Sequence, residues 1–190
     1  MNITKNKKGF TLVELLAVIV ILALIMSIAI VSMTGIMENA RYSSFNDTAR
    51  SIINGVRSQL LAANELRDGS YYFDEKVLEN TGNLPFGSKI NFTVPDTVEK
   101  NGTGSTATKK QIGSGIYRST SKLAASACTG TNPSFVNVTQ NSTTGKYEFS
   151  ICIGIPAADK SISGVKYMAL TTETALQNDT KAGVTAVPTT

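Results

Sequence analysis

The sequence predicts an α+β protein in which a long N-terminal helix packs, through its second half, on an antiparallel sheet formed by the rest of the chain. Three observations predict it. Residues 10–31 form an apolar run whose only ionisable side chain is Glu14. Residues 38–66 then keep a helical period with no proline to interrupt them. Beyond Gly69 the texture changes to short β-like runs separated by Gly, Asn, Ser and Thr.

The first element is apolar all round. At 1.5 Å per residue the run would extend about 33 Å as a helix, enough to cross a bilayer. Lys5, Lys7 and Lys8 precede it, and basic residues on that flank would hold the N-terminus in the cytoplasm and leave everything after the run outside. In the second half, Phe45, Ala49, Ile52, Ile53, Val56, Leu60 and Ala63 recur at spacings of three and four, while Arg41, Asp47, Arg50, Arg57 and Glu65 fall largely elsewhere. The two halves read as one helix of about 85 Å, stopped by Asp68-Gly69. Its apolar stripe, Phe45, Ile52, Ile53, Val56 and Leu60 above all, is expected to lie across the sheet of a ladle-shaped molecule.

Strands are expected at 89–94, 115–119 and 165–170, and the clearest hairpin is "PSFVNVTQNSTTGKYEFSICIG". Val136 and Val138 share one face, as do Tyr147, Phe149 and Ile151 on the next strand. Matching those faces places Val138 opposite Tyr147 and Val136 opposite Phe149, with 141–144 as the turn. Cys152 then points to the other face with Glu148 and Ser150, within reach of Cys128 in the preceding loop. The chain has two cysteines, and an even pair in an exported chain reads as one disulfide, the alternative being two buried thiols. A closed loop of about 25 residues would add about 3.5 kcal/mol in the chain-entropy picture. Asn91, Asn101 and Asn137 each open an Asn-x-Ser/Thr triplet, which chance often supplies in a chain so rich in Asn and Thr.

Composition narrows the function classes. The 190 residues are 42% hydrophobic and 17% charged, which allows one modest soluble domain beside a membrane segment. The net charge of +4 owes much to the three lysines before the apolar run, and the remaining Arg and Lys are scattered among acids, so no nucleic-acid partner is expected. Histidine is absent, which removes the commonest acid/base residue and the imidazole metal ligands. Asp74, Glu75, Glu79, Asp96, Glu99, Glu148, Asp159, Glu173 and Asp179 form no recognisable carboxylate motif, and no phosphate-loop or nucleophile-elbow pattern occurs. No catalytic residue, metal site or cofactor is expected. The protein reads as a structural or binding component, not an enzyme.

Glu14 decides between three readings of the N-terminus. A secretory signal would have a shorter apolar core ending at a small-x-small cut, for which Ser27-Ile28-Ala29 could serve. A plain anchor explains the length and the lysines but gives no reason for an acid among apolar neighbours, at a cost of about 2.5 to 3.5 kcal/mol at a bilayer centre. The third reading supplies one. "KKGFTLVE", residues 7–14, resembles the class III signal of type IV pilins and pseudopilins: a short basic leader ending in glycine, an aromatic residue, a glutamate five places past the cut and a long apolar helix.

The resemblance implies cleavage between Gly9 and Phe10 by a prepilin peptidase, N-methylation of Phe10, and an assembly contact in which Glu14 pairs with the Phe10 amine of a neighbouring subunit. It also implies a division into leader (1–9), transmembrane and assembly helix (10–34) and extracytoplasmic head (35–190). The partners implied are further copies of the chain, the peptidase, and, indirectly, a membrane platform and its ATPase. The product would be an extracellular pilus, formed from a precursor held in the cytoplasmic membrane. Alternatives are a pseudopilin of a secretion or competence system and a membrane-tethered binding module. Cys128 and Cys152 also fit the paired late cysteines common in pilins. One departure stands out: where many members carry a mid-helix proline this chain has Val31, and eight residues earlier Ala23 in place of glycine.

Overall fold

The computed structural model describes residues 10–78, 90–130, 132–155, 167–179 and 181–185. Helix α1 spans Leu12–Ala62, 51 residues. The chain divides into two compact units, Met1–Ala40 and Arg41–Thr190. In the first, α1 displays its side chains in every direction, with Leu16, Ile19, Leu22 and Ile25 all half exposed or more. Mean hydropathy reaches 3.1 over an 18-residue window, so the helix is long and apolar enough to cross a membrane. It runs unbroken through Ser27 and Gly35, the Ser27 hydroxyl donating back to the Leu24 carbonyl at 3.2 Å.

In the second unit α1 becomes amphipathic. Tyr42, Phe45, Ala49, Ile52, Ile53, Val56 and Leu60 are buried in one core with Tyr71, Phe73, Val136, Val138, Phe149 and Ile151, while Asp47, Arg50, Asn54 and Ser58 face solvent. Ala63, the last member of the expected stripe, packs on the rim of that core. The helix stops at Ala62, earlier than Asp68-Gly69. Asn64 adopts φ 52°, the Glu65 amide donates to the Leu60 carbonyl at 2.9 Å, and the Asn64 amide donates to Leu61 at 3.1 Å. That pair of bonds around a left-handed residue closes the helix with a Schellman motif, and asparagine fills the place glycine usually takes.

The strands are β1 (Gly69–Phe73), β2 (Lys100–Asn101), β3 (Thr108–Lys109), β4 (Ile116–Arg118), β5 (Phe135–Gln140), β6 (Tyr147–Ile153), β7 (Tyr167–Thr172) and β8 (Val184–Thr185). Six of them form one antiparallel sheet in the order β4-β1-β5-β6-β7-β8, and β2–β3 form a separate hairpin. Helix α2 (Glu173–Asn178) follows β7, capped by the Thr172 hydroxyl, which accepts from the Ala175 amide. Arg57 of α1 pairs with Glu173 and lies 4.4 Å from the centre of the Phe149 ring, tying helix, sheet and α2 together. A Cβ at Gly55 would sit 2.7 Å from the Val77 carbonyl oxygen, so only glycine lets the 3₁₀ turn Glu75–Leu78 approach α1 this closely.

The expected strand at 89–94 is not one: Asn91 Oδ1 accepts from the Thr93 amide and folds the segment into a turn, with residue 89 outside the described residues. The expected strands at 115–119 and 165–170 correspond to β4 and β7, residues 165–166 lying outside the described residues. The β5–β6 hairpin forms with its faces as expected but in a different register. Val138 opposes Phe149, Val136 opposes Ile151 and Gln140 opposes Tyr147. A shift of two residues keeps every side chain on its face, so the apolar pattern alone could not separate the registers. The loop decides. Asn141 Oδ1 accepts from the Thr143 and Thr144 amides at 3.0 and 3.1 Å, Gly145 takes φ 68°, and the connection extends through Lys146.

The sheet face away from α1 is covered by a second layer. Tyr72, Phe135 and Cys152 of the sheet pack with Val98 and Cys128, flanked by Val94, Tyr117, Leu123 and Leu170. Two fasteners hold it. Cys128 and Cys152 form a disulfide with Cα atoms 5.8 Å apart. A polar clasp closes beside it: Ser70 Oγ donates to Asn137 Oδ1 at 2.5 Å, Asn137 Nδ2 donates to the Leu123 carbonyl at 2.8 Å, and the Leu123 amide donates to Ser70 Oγ at 2.7 Å.

Burial pushes the hydroxyl pKa of Tyr71 and Tyr72 above the ordinary tyrosine value, and Tyr117 is raised by burial and by the Asp74 carboxylate beside it. Such groups favour the neutral form in the fold. The stability they contribute is present at pH below the unfolded tyrosine pKa and is lost as pH rises through the folded values. Alkaline titration, with Tyr71→Phe, Tyr72→Phe and Tyr117→Phe variants to assign the absorbance, should therefore show the phenolates of these three residues appearing late and together with loss of folded structure. Phenolate from these three rising at the free-tyrosine pH with the fold intact would contradict this.

Candidate processing and assembly site

The expected site residues lie at the start of α1. Phe10 is outside the helix and 86% exposed. Gly9, the other side of the expected cut, lies outside the described residues, as do the lysines before it. Glu14 is the single acid in the first turn of the helix, where a carboxylate meets the positive end of the helix dipole.

Glu14 already has a partner in its own chain. Its Oε2 accepts from the Thr11 amide and from the Thr11 hydroxyl, each at 2.9 Å, while the Glu14 amide donates to Thr11 Oγ1 at 3.3 Å. The Leu15 amide completes the turn onto the Thr11 carbonyl at 3.2 Å. This is a reciprocal capping box, with Thr11 as N-cap and Glu14 three residues on. The acid therefore has a local role that the case against a plain anchor left out: it satisfies donors that the helix start would otherwise leave unpaired. Thr11 is the residue that sequence reasoning missed, and its signal was present in the T-x-x-E spacing of "TLVE".

In the head, several of the acids have partners within the chain. Asp74 accepts from the Lys76 amide and the Tyr117 hydroxyl, Glu99 pairs with Lys110 and Arg118, Asp96 with Lys109, and Glu148 accepts from Asn141. Glu79 and Asp159 lie outside the described residues. Among the described residues no group of three or more His, Cys, Asp or Glu could hold a metal ion. An open cleft lined by Asp68, Glu99, Arg118 and Lys122 has its central cation engaged, Arg118 donating to the Asp68 carbonyl at 2.8 Å. Of the Asn-x-Ser/Thr triplets, Asn137 is buried with both side-chain groups bonded in the clasp, whereas Asn101 is exposed.

Residues 4–30 match the family model of the prokaryotic N-terminal methylation motif. No curated protein and no solved structure matches the chain. The match covers the basic flank, Gly9, Phe10, Glu14 and most of the apolar run, and it supports a class III signal of the type IV pilin and pseudopilin kind.

Proposed function

We propose that the protein is a structural subunit of an extracellular type IV pilus. The observation that carries the reading is the methylation motif at residues 4–30, placed at the head of a helix that is apolar all round yet bears Glu14. In this reading residues 1–9 are a leader that prepilin peptidase removes on the cytoplasmic side, and Phe10 becomes the N-methylated first residue. Residues 10–34 hold the precursor in the cytoplasmic membrane as a single pass, and residues 35–190 form the extracytoplasmic head. The Cys128–Cys152 disulfide supports a head that lives in an oxidising compartment.

Assembly follows from the chemistry of the new terminus. A methylated α-amine is still a cation at neutral pH, and Glu14 is the one acid among the apolar side chains that would surround it. Pairing the amine of one copy with Glu14 of the next sets how far the two helices slide. Van der Waals contact along Leu15, Leu16, Ile19 and Leu22 supplies the bulk attraction. A head-to-tail contact that does not close on itself builds an open helical polymer. The partners are then other copies of the chain, the peptidase, and a platform driven by an ATPase.

Mass analysis of the mature N-terminus, with electron microscopy and peptide identification of sheared surface filaments, tests this. The expected result is a chain beginning at methylated Phe10 and present in the filaments. Methylated Phe10 without surface filaments would move the protein to the pseudopilins. A retained leader would make it a membrane-tethered module.

A further inference from the structure

We propose that Thr11 is a positioning residue for assembly: it fastens Glu14 Oε2 and leaves Oε1 as the acceptor offered to the Phe10 amine of an incoming second copy. The proposal rests on the filament reading above and refines its central contact. Oε2 takes two hydrogen bonds from Thr11, and among the described residues none reaches Oε1. A carboxylate offers about four lone-pair sites, so an incoming amine can add to Oε1 without displacing Thr11. With Oε2 held by two donors, the swing of the carboxylate is restricted. The long side chain then has little rotamer freedom left to lose when the second copy arrives. In a water-poor environment the same two bonds also keep the acid satisfied before any partner is present.

The Thr11 hydroxyl does two separable things, since it accepts from the Glu14 amide as a helix cap and donates to the Glu14 carboxylate. Glycine caps a helix start nearly as well as threonine but has no hydroxyl to donate. Thr11→Ser, Thr11→Gly and Glu14→Ala, made in the full-length chain in its host, separate these roles. The readouts are the amount of membrane subunit beginning at Phe10 and the sheared filaments formed per unit of that pool. Thr11→Ser should match the parent, and Thr11→Gly should give about tenfold fewer filaments, the scale of losing one hydrogen bond to a charged group. Filaments at parental level from Thr11→Gly, with Glu14→Ala unable to assemble, would overturn the positioning role and leave the filament reading standing. Parental filaments from Glu14→Ala would remove both.

Discussion

In the proposed filament, Glu14→Ala should nearly abolish assembly while the subunit is still inserted in the membrane and processed to begin at Phe10. Removing one member of a desolvated ion pair costs about 3 to 5 kcal/mol, because the partner charge is left buried and alone. Per added subunit that is a factor of about 10² to several times 10³ in affinity, and in the proposed filament every subunit addition would make the same contact. Part of the loss belongs to the helix cap, since the carboxylate also holds the Thr11 amide and hydroxyl. Glu14→Gln separates the two contributions: glutamine serves in a capping box but carries no charge. Filament yield from sheared cells, compared with the membrane pool of mature subunit, should be low for both variants. Recovery by glutamine would assign the effect to helix capping instead of charge pairing.

Ile53→Asp should unfold the head. Ile53 is fully buried where α1 meets the sheet. Aspartate would leave a charge without a partner in that core, in addition to removing apolar contacts, at a cost of more than about 4 kcal/mol, a large share of a small domain's total stability. A soluble head lacking the apolar half of α1 should lose its protease resistance with this change. In the full-length chain, insertion of the apolar run into the membrane should be unaffected. Unchanged resistance would mean that α1 does not pack on the sheet through this face.

Glu14 and the stripe that holds Ile53 stood out in the sequence for different reasons. The stripe from Phe45 to Leu60 is a local period of three and four, and a helix has one way to bury it. Glu14 stood out because an acid is costly in an apolar run, although the same spacing argument that found the stripe would have found Thr11 had it been applied to hydrogen-bonding residues. The helix stop was misplaced because Asp68-Gly69 is the more familiar signal, whereas Asn64 tolerates the left-handed conformation and came first. The hairpin register was invisible to the apolar pattern, since a two-residue slip preserves both faces and only the hydrogen bonds of Asn141 choose between them. The clasp joins Ser70, Leu123 and Asn137 across three separate stretches of chain, and no local period announces a contact of that kind.

The clasp bears on how the sulfurs meet. Leu123 is five residues from Cys128, and Asn137 lies on β5, where Phe135 sits directly opposite Cys152. Once that loop is seated by its backbone amide and carbonyl, Cys128 searches within a short tether for a thiol held on a rigid neighbouring strand, so the thiol concentration it experiences is set by five residues of slack instead of the full intervening chain. An oxidant would then meet two thiols already side by side.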